Sequence, residues 1–81
     1  MKDGKWFLQK NYLCSISETT VYFVSIKEHV DLAYYDTITG VIYFNALYEN
    51  RFRKARKQIL KDFKPEVISS YMEWLYEKYN N

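Results

Sequence analysis

Thr20-Val21-Tyr22-Phe23-Val24-Ser25-Ile26 is apolar on both of its alternating sides. In an extended strand Tyr22, Val24 and Ile26 point one way, and Val21 and Phe23 the other. β-Branched and aromatic side chains suit such a pleated surface. A strand that is apolar on both sides needs cover above and below, so it belongs in the middle of a sheet. Downstream, Val30 to Tyr35 alternates as a second strand, and Val41-Ile42-Tyr43-Phe44 forms a third. Asp36-Thr37-Ile38-Thr39-Gly40 separates these two and predicts a type I turn closed by a left-handed Gly40. Upstream, Tyr12-Leu13-Cys14-Ser15-Ile16 reads as a strand folding back across Ser17-Glu18-Thr19. Trp6, Lys10, Leu13 and Cys14 also fit a helical spacing, so residues 6–16 carry both readings, with the strand preferred.

After Phe44 the period changes. From Ala46 to Phe63, the residues Tyr48, Phe52, Ala55, Ile59 and Phe63 make one apolar stripe at helical spacing. Pro65 ends that helix, because its ring and missing N–H do not fit a helix interior. Pro65 also suits the first position of a new helix, with Glu66 at its positive end. That second helix is expected to reach about Tyr79, with Ile68, Tyr71, Met72, Leu75 and Tyr79 as its stripe and Val67 and Trp74 widening it. The expected architecture is α+β, one domain over residues 1–81. An antiparallel sheet of three or four strands comes first, followed by two C-terminal helices packed on one face. Val24, Ile26, Phe44, Phe52, Ile59, Tyr71 and Leu75 are its expected core.

The chain has 81 residues, a hydrophobic content of 48% and an aromatic content of 20% that includes nine tyrosines. A domain this small buries roughly 60% of the surface of its unfolded chain. It cannot hide that many rings, so some tyrosines belong at the surface or in an interface. Cys14 is the single cysteine, which excludes an internal disulfide and fits a reducing cytoplasm. No signal peptide is expected, because Lys2-Asp3-Gly4-Lys5 precedes only three apolar residues. No apolar run approaches the length of a membrane span, so no membrane partner is expected. Few Gly, Ala and Pro beside many Lys, Ile, Tyr and Asn suggest an AT-rich genome, bacterial or phage.

The charge is concentrated. Arg51, Arg53, Lys54, Arg56, Lys57, Lys61 and Lys64 fall within fourteen residues opposed by Asp62 alone, although the whole chain is only +2. On a helix Arg53, Lys57, Lys61 and Lys64 run up one face, with Lys54 beside them. Such a face can meet phosphates or an acidic protein. It also serves as a solvated surface whose long stems cover apolar neighbours, and cations near a helix C-terminus complement its dipole. A helix-turn-helix is disfavoured, since the second helix carries Glu66, Glu73 and Glu77 against Lys78. A sheet-plus-helix DNA reader is permitted by the strand order, but the strands carry few cations, so the helix would have to hold the phosphates. Trp74 and Tyr76 are candidate anchors for a partner, because large rigid rings gain contact at little entropic cost.

Chemistry is sparse. His29, the single histidine, stands near Glu28 and Asp31, too few ligands for a metal centre. No nucleophile–base–orienter set, P-loop or dinucleotide fingerprint is present. No cofactor and no catalysis are expected. The sequence favours a small non-enzymatic regulatory or inhibitory protein, cytoplasmic, that binds a protein partner of acidic character. Its partner-binding residues are expected to be Arg53, Lys54, Lys57, Lys61, Lys64, Trp74 and Tyr76. Nucleic-acid binding through the same cations is the alternative, and a homodimer is open.

Overall fold

A computed structural model describes residues 6–80. In chain order the elements are β1 (Trp6–Leu8), β2 (Leu13–Ser17), β3 (Thr20–Val24), β4 (Asp31–Asp36), β5 (Val41–Phe44), a 3₁₀ turn (Ala46–Tyr48), α1 (Arg53–Phe63), β6 (Val67–Ser70) and α2 (Tyr71–Asn80). The strands form one six-stranded sheet in sequential order. β1 to β5 make an antiparallel meander, and β6 joins β5 in parallel. The fold is α+β as expected, but the sheet is mixed and six-stranded, not antiparallel with three or four strands.

Two strands account for the difference. The ambiguous segment 6–16 holds β1 and all of β2 but its last residue, paired with Trp6 opposite Ser15 and Leu8 opposite Leu13. The second addition is β6, where a helix was expected to start at Pro65. Lys64 takes a left-handed conformation (φ 42°, ψ 58°) and donates its N–H to the Leu60 carbonyl at 3.0 Å. That turn throws Pro65 off the helix axis, and the β-branched Val67-Ile68 pair continues as a strand. The helix start lies later. Ser70 Oγ accepts the Glu73 N–H at 3.1 Å, an N-cap of the Ser-x-x-Glu kind.

The helices also pack differently from the expectation. Adjacent Tyr34 and Tyr35 on β4 point to opposite faces. Tyr35 meets Phe63 of α1, whereas Tyr34 stacks on Trp74 of α2 at 5.0 Å. The two helices therefore cover opposite faces of the sheet, not one face. On the α1 side a core of Cys14, Val21, Phe23, Ala33, Ile42 and Phe44 receives Ala55 and Ile59, with Phe52 and Phe63 packed around them. On the α2 side Tyr22, Tyr34 and Tyr43 stand opposite one another across three strands. Tyr71 and Trp74 close over the last two of these. β3 is central and apolar on both sides because it serves two layers.

Turn chemistry matches the sequence in the β4–β5 hairpin. Asp36 Oδ1 accepts the N–H groups of Ile38 and Thr39, and Gly40 has φ 74°. The long helix expected from Ala46 is divided. Asn45 Oδ1 accepts the Leu47 N–H at 3.1 Å and starts only a 3₁₀ turn. Some core assignments also change: Ile26 lies beyond β3 and is exposed, and Phe52, Tyr71 and Leu75 are only half-buried.

Ile59 is fully enclosed under the sheet. Ile59→Ala should cost about 2–4 kcal/mol, through lost transfer energy and a cavity. Leu75→Ala should cost only about 1 kcal/mol, in proportion to its partial burial. Urea unfolding of both variants checks this. Equal losses would place α2 as deeply as α1.

Candidate functional site

Arg53, Lys54, Lys57, Lys61 and Lys64 are all exposed. Ala55 and Ile59 are the buried residues of α1. At 100° per residue the helix turns Arg53, Lys54, Lys57 and Lys61 away from that pair and into solvent. Lys54, Lys57 and Lys61 span about 10 Å along the axis.

The β1–β2 loop contributes what the sequence did not reveal. Lys10 and Asn11 face Lys54, Lys57, Gln58 and Lys61 across an open cleft. Asn11 and Lys54 also line a neighbouring depression with Asn50 and Arg53. The basic face of α1 thus continues onto a loop more than forty residues away in sequence. Reading residues 6–16 as a strand or a helix gave no reason to set Lys10 beside α1. Only the β1–β2 hairpin places it there.

The acid within the basic run is already engaged. Asp62 accepts the Tyr12 hydroxyl at Oδ2 (2.6 Å) and the Gln58 amide at Oδ1 (2.8 Å). Two cations of the run are diverted as well. Arg51 pairs with Glu28. Arg56 turns inward over the Phe44 ring, 4.9 Å from its centroid. The exposed cations that remain are Arg53, Lys54, Lys57, Lys61 and Lys64, joined by Lys10.

Two of these cations, Arg53 and Lys54, sit at the wrong end of the helix for stability. The first turn of α1 holds no acidic residue, and Phe52 at the N-cap position makes no side-chain capping bond. Arg53 and Lys54 therefore add to the positive end of the helix dipole. Lys61 in the last turn complements the negative end.

Trp74 and Tyr76 occupy the other side of the sheet. Trp74 is half-buried. It stacks on Tyr34 and Tyr71 and is covered by Lys78 Nζ at 4.7 Å. Tyr76 is 70% exposed. The sheet separates these rings from the cations of α1, so the seven candidate residues do not form one surface. Near His29, Glu28 is taken by Arg51 and Asp31 Oδ2 accepts the Tyr34 hydroxyl at 3.0 Å. Among the described residues no group of three His, Cys, Asp or Glu could hold a metal ion, and no helix is long and apolar enough to cross a membrane.

Comparison with family models, with curated proteins and with solved structures finds no match to the chain.

Several buried groups have shifted ionisation. Burial, together with the hydrogen bond to Asp62 and its charge, pushes the Tyr12 phenol well above its ordinary value. Tyr34 rises through burial, then through Tyr71 and Asp31. Burial pushes the Cys14 thiol up too, which keeps it protonated and unreactive near neutrality. A phenol with a raised folded pKa stabilises the protein fully below the unfolded value of 10.0. Above it the unfolded state ionises first and stability falls. Urea midpoints should therefore begin to fall near pH 9, where the unfolded Cys14 thiol ionises, and drop more steeply beyond about pH 10 as the unfolded phenols follow. Tyr12→Phe should flatten that drop. An unchanged alkaline slope in this variant would contradict the assignment.

Proposed function

We propose that this small aromatic-rich α+β domain is a non-enzymatic binding module that grips the phosphate backbone of nucleic acid with the α1 face and Lys10. One observation carries the reading: two exposed cations, Arg53 and Lys54, open the first turn of α1, which has no side-chain cap and where they oppose its dipole. Packing does not require them there, and stability would favour Asp or Glu. Local rules broken at a cost to folding are expected where a surface serves binding.

The chemistry of the cleft favours phosphates over a protein surface. It is lined by lysines and side-chain amides. Those groups contact phosphates, whereas Lys is depleted from protein interfaces, which rely on aromatic anchors. The rings that could anchor a protein lie across the sheet. Along α1 the lysines cover about three phosphate steps of one strand, at about 3.4 Å each. No aromatic side chain lines the cleft to stack on bases, so binding should be insensitive to sequence.

Five engaged cations, Lys10, Arg53, Lys54, Lys57 and Lys61, predict a log–log salt slope of about −4.5 on duplex DNA, from about −0.9 per phosphate. Lys10→Ala and Lys57→Ala should each reduce that slope by about 1, for every sequence alike. Fluorescence anisotropy across a salt series measures this. An unchanged slope in Lys10→Ala would remove the loop from the site. Weak, salt-insensitive binding by the intact protein would sink the reading and return the basic face to an acidic protein partner.

Arg53→Glu should separate stability from binding. It should gain about 0.3–1 kcal/mol of stability by complementing the helix dipole. The same change should weaken duplex binding by more than about tenfold, because a repelled phosphate replaces an attracted one. Thermal unfolding and anisotropy on the same sample read both effects. A loss of stability together with unchanged binding would contradict the proposal.

A further inference from the structure

A second site lies at the other end of the sheet and is independent of the phosphate-binding reading. β6 is an edge strand, and no described strand pairs with its outer side. Natural edges are blunted with charges, prolines or bulges. Val67-Ile68-Ser69-Ser70 carries neither a charge nor a proline, and its two apolar residues are 50% and 57% exposed. Beside its C-terminal half is a recess of about 180 Å³ on the α1 face of the sheet. That is small against the roughly 300–1,000 Å³ of ordinary small-molecule sites. Phe44 and Ile68 line it with apolar surface, Ser70 and Glu49 also line it, and Arg56 provides its cation.

Arg56 is under-used. Its guanidinium lies over the Phe44 ring, and Nη1 donates to the Glu49 carbonyl. Nε is buried without a partner. A buried guanidinium N–H costs free energy until an acceptor reaches it. A carboxylate satisfies such a fork best. We propose that β6 accepts an extended peptide as a seventh strand, and that an Asp or Glu of this peptide enters the recess to bind Arg56. Backbone pairing would supply affinity, and alternate side chains would face the α1 side to supply selectivity. A second copy of the chain fits poorly. Its own β6 has no carboxylate, and Glu66 just before it is packed over Gly40.

The test uses a capped peptide of alternating Val and Thr with one central Glu, added to the ¹⁵N-labelled protein. Binding should shift the backbone amides of Val67–Ser70 together with the Arg56 Nε–H signal, with a Kd of about 1 mM or tighter. Replacing the peptide's Glu by Gln should weaken binding about tenfold or more, as should Arg56→Gln. N-Methylation of alternate peptide nitrogens should abolish binding while the protein is unaltered, which guards against misfolding of the variant. Absence of β6 shifts with the Glu peptide would overturn the proposal. So would acetate moving the Arg56 signal as effectively as the peptide, because the strand would then be unnecessary. A β6 shift that follows protein concentration alone would assign the edge to self-association instead.

Discussion

One backbone hydrogen bond sets the layout of the molecule. The Glu66 N–H donates to the Gly40 carbonyl at 2.9 Å, joining the end of the α1 segment to the tip of the β4–β5 hairpin. Gly40 is held at φ 74°, a conformation that strains any residue with a side chain, and lies against the Glu66 side chain. From that junction β6 runs parallel to β5, with Val41 opposite Val67 and Phe44 opposite Ser70. A parallel neighbour requires a crossover, and α1 is that crossover on one face. The chain leaving β6 is then free to fold onto the other face, where α2 meets the tyrosine row. The separation of cations from exposed rings follows from this one pairing.

The two layers are stabilised by different means. Beneath α1 the packing is compact, with Phe23, Ile42 and Ile59 fully enclosed and Ala33 and Ala55 in the same cluster. Beneath α2 it is aromatic, with Tyr34 only 2% exposed and enclosed by Tyr22, Tyr71 and Trp74. Stacked and edge-on rings of this kind add about 0.5–1.5 kcal/mol per pair beyond the area they bury. Four of the nine tyrosines, Tyr22, Tyr34, Tyr43 and Tyr71, are thus explained by a second core layer. Tyr76 and Tyr79 remain exposed on the outside of α2.

Much of the fold was legible because period and turn chemistry agreed. The two-sided apolar pattern of residues 20–24 placed β3 centrally, and Asp36 with Gly40 marked the hairpin. β6 was not legible for a physical reason. Pro65 is equally at home at a helix start and after a helix end, and Val67-Ile68 fits a helical stripe as well as a strand. The stronger signal was Ser70 three residues before Glu73, which places the helix start later. The orientation of the α1 cations could be read from helical spacing. The approach of Lys10, the diversion of Arg51 and Arg56, and the engagement of Asp62 could not, because each depends on a contact distant in sequence.

The central claim is that the face of α1, extended by Lys10, is the working surface, and that the aromatic face of α2 is structural where it touches the sheet. The most direct measurement is a ¹H–¹⁵N titration of the protein with a short DNA duplex at moderate salt. The account predicts shifts at Lys10, Asn11 and the amides of residues 53–61, with the Trp74 indole N–H unmoved. Shifts centred on Trp74 and Tyr76, with α1 unchanged, would contradict it.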